Sequence, residues 1–204
     1  MKNIVIEGID NRMRWILSTA WDVCIHRIAN GRITINKESS LQLHYAYVLA
    51  QVGELACIDK DESFKIELET HHAGKNIDIW CALGGCEAAI ELKCFRKASN
   101  RGKDTDMYDV LKDIWRLESY SDVAFRRFIC LTDNEYYTDF SCHRGNAGAV
   151  SIGNGKKYAR DVSIKPTWVG KWKDKTRDTS IVLKSDLEFV WNNLGPWSYL
   201  FMEV

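Results

Sequence analysis

Two apolar runs on either side of Gly84-Gly85 constrain the fold of this chain more than any other feature. Residues 76–82 and 87–95 are both rich in apolar side chains, and a Gly-Gly pair suits the tight turn of a hairpin. A third run, residues 64–69, alternates apolar with charged side chains, as a half-buried strand does. Together the three runs predict a short antiparallel meander.

Helical periodicity precedes the meander. Apolar residues recur at helical spacing over 12–29, and Asn30-Gly31 supplies a C-terminal stop. Asn36 is predicted to cap a second helix. The inward stripe of that helix is formed by Leu41, Tyr45, Val48, Val52 and Leu55.

The meander is followed by a third helical pattern, capped by Asp104 or Thr105 and ending near Ser121, and by a buried strand at 128–131. Further along, residues 181–183 are predicted to form a strand, and Ser185 is predicted to cap a short helix through Trp191. Residues 197–204 form a last apolar stretch. The predicted class is α/β, with a mixed β-sheet flanked by helices and an irregular C-terminal elaboration.

A chain of 204 residues fits one domain. We predict a single domain made of an N-terminal helical part (1–36), a core (37–133) and the C-terminal elaboration (134–204). The N-terminus lacks an apolar core of signal-peptide length, and no stretch approaches the roughly 18 apolar residues of a membrane span. The expectation is therefore a cytoplasmic protein without membrane contact.

The 28 basic and 28 acidic residues cancel, so whole-chain charge makes no case for a polyanionic partner. Their distribution is more informative: residues 156–177 carry eight bases against two acids, and residues 93–103 carry five bases and no acid. Lysines interleaved with aromatic rings suit phosphates and bases respectively. The candidate nucleic-acid contacts, which include loops of the C-terminal elaboration, are Arg96, Lys97, Arg101, Lys171, Lys173, Trp168 and Trp172.

Lone charges interrupt the two apolar runs of the hairpin. Alternation places Glu91 and Lys93 on one face of their strand, and Asp78 projects from the preceding strand across the turn. Burying such charges costs several kcal/mol each unless they are paired or bind a metal. Two carboxylates can hold Mg²⁺ beside a phosphate, and a lysine can orient or deprotonate the attacking water or stabilise developing charge.

The arrangement of Asp78, twelve intervening residues and then Glu91-Leu92-Lys93 resembles the PD-(D/E)XK nuclease superfamily, although Ile77 replaces the proline of its motif. The resemblance covers residues 37–133 and implies a restriction endonuclease-like core of helix, three-stranded meander, helix and strand. It also implies a metal-dependent deoxyribonuclease acting in restriction, defence or repair, with Mg²⁺ or Mn²⁺ as cofactor and DNA as partner. In that family Glu38 and the backbone carbonyl of Leu92 would be further metal ligands. A homodimer would supply two sites for two cuts in a duplex.

Other interpretations of these residues stay open. Glu91 and Lys93 could form a surface ion pair, Asp78 could be a turn residue, and a first-turn Glu38 would stabilise its helix without any site. The fold could also be a nucleic-acid or protein-binding module that has lost catalysis. A third interpretation is a cytosolic enzyme unrelated to nucleases, in which the Glu-x-Lys pattern is coincidental.

Overall fold

A computed structural model describes residues 7–72, 75–99, 102–165 and 180–204. Its helices are α1 (Ile9–Ala29), α2 (Glu38–Leu55), α3 (Lys103–Leu117) and the single-turn α4 (Asn146–Ala149), with 3₁₀ turns at Glu135–Tyr137 and Phe140–Cys142. Its longer strands are β1 (Phe64–His72), β2 (Lys75–Leu83), β3 (Cys86–Phe95), β4 (Phe125–Thr132) and β10 (Trp197–Glu203). Its short strands are β5 (Lys157–Tyr158), β6 (Ser163–Ile164), β7 (Ile181–Val182), β8 (Leu187–Glu188) and β9 (Asn192–Leu194). The predicted α/β class is confirmed at this level.

The main sheet has six strands in the order β1-β2-β3-β4-β10-β9, and two two-stranded sheets pair β5 with β8 and β6 with β7. The predicted meander is present, because β1 pairs antiparallel with β2 and β2 with β3. At the β2–β3 turn both glycines have positive φ, 51° for Gly84 and 86° for Gly85, as the mirror-image hairpin turns require. The strand that follows α3 runs parallel to β3, since Thr132 Oγ1 donates to the Phe95 carbonyl, 2.8 Å away, where both strands end.

The chain's contacts group into two compact units. The first comprises the residues up to Leu92 together with Tyr120–Arg127 and Glu203; the second comprises Lys93–Ser119, Phe128–Met202 and Val204. Within the first unit α1 packs on α2, with the Trp21 and Tyr45 rings edge to face at 5.8 Å. Within the second, α3 buries an apolar face that includes Val110, Ile114 and Leu117, as predicted. The single-domain organisation stays a prediction.

Several predicted element ends were wrong. The second helix begins at Glu38 with Lys37 at the N-cap, so Asn36 is not the cap, and Leu55 at its last turn is 79% exposed rather than inward. The third helix begins after Gly102, which offers no side-chain cap, and ends at Leu117 rather than Ser121. These are differences of one to four residues at fraying ends.

The predicted helix from Ser185 to Trp191 is absent. The Ser185 hydroxyl and N–H both donate to the buried Glu118 carboxylate, at 2.5 and 3.0 Å, and the Trp191 N–H donates to Asn154. Two long-range partners therefore hold the segment extended, with Leu187–Glu188 paired as a strand. None of the described helices is long and apolar enough to cross a bilayer.

Candidate functional site

The β2–β3 hairpin brings Asp78 to the strand that carries Glu91. In the β2–β3 ladder Ile79 pairs with Ile90, and continuing the antiparallel register by one residue places Asp78 opposite Glu91. The Asp78 Oδ2 accepts the backbone N–H of Leu92, 2.7 Å away, directly after Glu91. A charge-assisted bond of this length fixes the carboxylate against β3.

Burial differs between the two carboxylates. Glu91 is completely buried, and its strand neighbours Ile90 and Leu92 are also at 0% exposure, so β3 is covered on both faces at this point. Asp78 is half-buried between Ile77 and Ile79. In such surroundings charge interactions are stronger than at the surface. Glu91 therefore does not form a surface ion pair on an edge strand.

A buried amide reaches the same place from α2. Gln42, 9% exposed, uses its Nε2 to donate both to the Asp78 backbone carbonyl and to Glu69 Oε1, each at 2.8 Å. Glu69 lies opposite Asp78 in the β1–β2 register, between the Leu68–Ile79 and Thr70–Ile77 pairs, and has a φ of 53°. A positive φ in a non-glycine residue costs energy and occurs more often at functional sites.

Gln42 and Glu69 were missed by the sequence analysis. The sequence signal for Gln42 was its position next to the inward-facing Leu41. The structure shows both residues buried, and a buried polar side chain needs a hydrogen-bond partner. For Glu69 no signal existed, because the alternation of its strand predicted an ordinary extended residue. Its positive φ breaks that alternation, and the predicted inward Leu68 is 44% exposed.

Glu38 is the first residue of α2 and is half-buried. Within the described part of the chain, no three or more His, Cys, Asp or Glu side chains form a group that could hold a metal ion. The role of Glu38 as a further metal ligand stays a prediction. The position of Glu38 in the first turn matches its simpler role, favourable interaction with the helix dipole.

Lys93 lies in an ion pair of the second unit. Its Nζ is 2.7 Å from Oδ2 of Asp113, a residue of α3, and the other oxygen of Asp113 lies 3.1 Å from Nη2 of Arg116. Only 15% of the Lys93 side chain and 9% of the Asp113 side chain are exposed. Asp113 lies 20 positions from Lys93 in the sequence, and no local pattern identifies the two as partners.

The predicted nucleic-acid contacts are only partly described. Arg96 is held by Asp133, with Nη2 2.9 Å from Oδ2, and its guanidinium lies 4.7 Å from the centre of the Trp197 ring. The Lys97 side chain is exposed, while its backbone N–H donates to Asp133. The remaining predicted contacts lie outside the described residues, namely Arg101, Trp168, Lys171, Trp172 and Lys173.

No protein-family model, no curated protein and no solved structure matches this chain. The resemblance to PD-(D/E)XK nucleases therefore rests on Asp78, Glu91, Lys93 and the order of elements around them. A restriction endonuclease-like core stays a prediction, whereas the structure shows an α/β fold with a mainly antiparallel sheet.

The donor set on this hairpin suits a hard cation. Asp78 and Glu91 offer carboxylate oxygens from neighbouring strands, and Mg²⁺ is commonly bound through one or two carboxylates, with waters and substrate phosphate oxygens completing the octahedron. A third carboxylate is not required for such a site. By its chemistry the pair therefore fits Mg²⁺ or Mn²⁺, and Asp78 and Glu91 would be its protein ligands.

Proposed function

We propose that this chain is a metal-dependent endonuclease that hydrolyses phosphodiester bonds in DNA, with Asp78, Glu91 and Lys93 as its catalytic residues. The observation that carries the proposal is the bond from the Leu92 N–H to Asp78 Oδ2. It ties the lone carboxylate of β2 to the strand segment Glu91-Leu92-Lys93, the pattern that resembles the PD-(D/E)XK motif. The proposed cofactor is Mg²⁺, with Mn²⁺ as a substitute.

Each residue has a distinct task in this proposal. A bound Mg²⁺ supplies a Lewis acid that polarises the scissile phosphate and lowers the pKa of a coordinated water. Asp78 and Glu91 hold the cation, and the Leu92 N–H keeps the Asp78 carboxylate oriented toward β3. Low exposure around Glu91 excludes bulk water, which strengthens the electrostatic interactions of the site.

Lys93 contributes positive charge. Its ammonium forms an ion pair with the Asp113 carboxylate, 2.7 Å away. A protonated amine can donate a hydrogen bond to the attacking water or to a phosphate oxygen, and it cannot accept a proton. In this ion pair the lysine would orient the attacking water and stabilise the charge that develops on the phosphate.

A cleavage assay tests the proposal. Supercoiled plasmid, linear duplex, single-stranded DNA and RNA are incubated with the protein in Mg²⁺, in Mn²⁺ and in EDTA. We expect DNA to be cut with either metal and not in EDTA. Glu91→Gln should reduce the rate at least about 100-fold, because the loss of a ligand to the catalytic metal removes several kcal/mol of transition-state stabilisation.

The matched control for Glu91→Gln is Glu87→Gln. Glu87 lies on the same strand four residues away, and alternation places it on the same face, but its carboxylate accepts the Trp80 Nε1–H at 3.2 Å and takes no part in the proposed site. Its cleavage rate should stay within about threefold of the wild type. Cutting that persists in EDTA, or that survives Glu91→Gln, would contradict the proposal.

A second candidate function is a catalytically inactive nucleic-acid or protein-binding module. The observation that favours it is the complete burial of Glu91. Gel-shift titrations at several salt concentrations distinguish the two functions. Salt-sensitive DNA binding without cutting in any metal would favour the module.

A further inference from the structure

The proposed catalytic lysine belongs to an ion cluster that includes Asp113 and Arg116. Asp113 of α3 binds Lys93 through Oδ2 at 2.7 Å and Arg116 through Oδ1 at 3.1 Å. Both carboxylate oxygens are therefore engaged by cations, and the aspartate is fixed from two directions. Arg116 lies one turn further along the same helix, so the geometry of the Asp113–Arg116 pair is set by α3 itself.

The cluster is shielded from water. With 9% of the Asp113 side chain and 15% of the Lys93 side chain exposed, the pair is screened far less than a surface salt bridge. A lysine side chain has four flexible carbon–carbon bonds, so its ammonium keeps one position only when a partner binds it. Asp113, whose Oδ2 lies 2.7 Å from the Lys93 ammonium, is a partner that can do so.

We infer that Asp113 is the positioning residue of the proposed nuclease: its ion pair with Lys93 holds that ammonium in place for the attacking water and the developing phosphate charge. This inference rests on the proposed function. It assigns the catalytic effect of Asp113 entirely to Lys93, since Asp113 acts through the ammonium and does not contact the substrate. In a protein that already lacks the Lys93 side chain, removing Asp113 should therefore not lower kcat further.

A double-mutant cycle tests this inference. Asp113→Asn keeps the shape of the side chain and removes its charge, so kcat should fall about 10- to 100-fold while KM for DNA changes less than about threefold. Lys93→Ala should lower kcat further, and the Lys93→Ala, Asp113→Asn double variant should equal Lys93→Ala. Asp113→Glu should recover part of the lost kcat. Independent losses that multiply in the double variant would indicate a merely structural role and overturn the inference.

The matched control is Glu118→Gln. Glu118 follows α3 directly and is as buried as Asp113, since each whole residue is 6% exposed. Its carboxylate accepts the backbone N–H groups of Lys184 and Ser185 and does not bind Lys93. The variant therefore measures what the loss of a buried carboxylate near α3 does to the fold of the second unit. Its kcat should stay within about threefold of the wild type.

A readout that needs no activity separates this inference from the proposed function. Acetylation of Lys93 by an amine-reactive ester, followed by mass spectrometry of the digested protein, should be at least about fivefold faster in Asp113→Asn than in the wild type, and unchanged in Glu118→Gln. Equal acetylation in all three proteins would disprove the ion pair. If acetylation is faster in Asp113→Asn than in the wild type but the wild type cuts no nucleic acid, the ion pair is confirmed, the proposed function is disproved, and the positioning role fails with it.

Discussion

At the scale of single residues, the buried Gln42 side chain is constrained by two hydrogen bonds. One Nε2 group donates to both the Asp78 carbonyl and the Glu69 carboxylate, at 2.8 Å each, from a side chain that is 9% exposed. Replacing it with an apolar residue of similar size leaves both acceptors without that donor. The cost of an unmade hydrogen bond exceeds the net value of a made one.

We therefore expect Gln42→Met to lower the free energy of unfolding by about 1–3 kcal/mol. The measurement is urea denaturation followed by circular dichroism. Gln51→Met is the control, because Gln51 lies on the same helix, is exposed and makes only a 3.4 Å contact with the Tyr47 hydroxyl. It should change stability by less than about 0.5 kcal/mol. Equal effects of the two substitutions would show that the buried amide has no special role.

Whether a residue of the site could be predicted from the sequence depended on how far away its interaction partners lie. Asp78, Glu91 and Lys93 could be selected from the sequence because each is a lone charge in an apolar strand, which is a local property. The roles of Gln42 and Asp113 could not be predicted in this way, because their partners lie 36 and 20 positions away in the sequence. Local sequence patterns do not encode such long-range packing.

At the scale of elements, the contact between α2 and β1 depends on a glycine. A Cβ built on Gly53 would lie 2.1 Å from the Phe64 ring, well inside van der Waals contact. Helix propensity alone would make Gly53→Ala stabilising by about 1 kcal/mol. Phe64 is 7% exposed at the start of β1, however, so its ring has little room to move.

We expect the steric effect to exceed the propensity effect, and Gly53→Ala to destabilise the protein by about 1–3 kcal/mol. Chemical denaturation measures the change. Phe64→Leu removes ring atoms from the overlap, so the double variant should be less destabilised than the sum of the single variants. A stabilised Gly53→Ala protein would show that the ring shifts at negligible cost.

Another element-scale contact links α1 to the loop before β1. Both Nη atoms of Arg12 lie 2.6 Å from Glu62 oxygens, and the Ile58 N–H donates to the same carboxylate. The Arg12 hydrogen bonds, followed by that of Ile58, lower the pKa of Glu62 to about 2. The unfolded chain has a glutamate pKa near 4.3, so this contribution is present above about pH 4.3 and is lost as the pH falls toward 2.

Between pH 6 and pH 2 the urea midpoint of the wild type should therefore fall more than that of Glu62→Gln, and the two midpoints should converge at the acid end. Arg12→Met is the control, because removing the guanidinium should abolish most of the same pH-dependent difference. Parallel pH profiles for wild type and Glu62→Gln would contradict this assignment.

Elements set by local pattern were predictable, whereas elements set by distant partners were not. The β2–β3 hairpin followed from two apolar runs and a glycine pair whose positive φ values the structure shows. The supposed helix after Ser185 had a plausible cap but no apolar stripe strong enough to compete with the bonds that Glu118 and Asn154 make to this segment. Long-range hydrogen bonds overrode a weak local preference.

At the scale of the whole molecule, the order of helices and strands through β4 followed from the sequence, and the completion of the sheet did not. β10 lies beside β4, and Glu203 near its end is 2.9 Å from Nη2 of Arg127. More than 60 residues separate β4 from β10, and the periodicity of neither strand indicates which strand it pairs with. Pairing at such separation depends on the global fold.

The proposed metal site makes a prediction for global stability. A ligand that binds only the folded protein stabilises it by RT ln(1 + [L]/Kd), so 10 mM Mg²⁺ acting at a Kd of about 1 mM contributes about 1.4 kcal/mol. Wild-type protein should therefore unfold at a higher urea concentration in MgCl₂ than in NaCl of equal ionic strength, which matches the general screening. Lys93→Ala should keep this response, since its side chain is not a proposed ligand, whereas Asp78→Ala and Glu91→Gln should lose it. The same Mg²⁺ shift in Asp78→Ala as in the wild type would place the cation elsewhere on the molecule, and with it the proposed chemistry of the hairpin would fail.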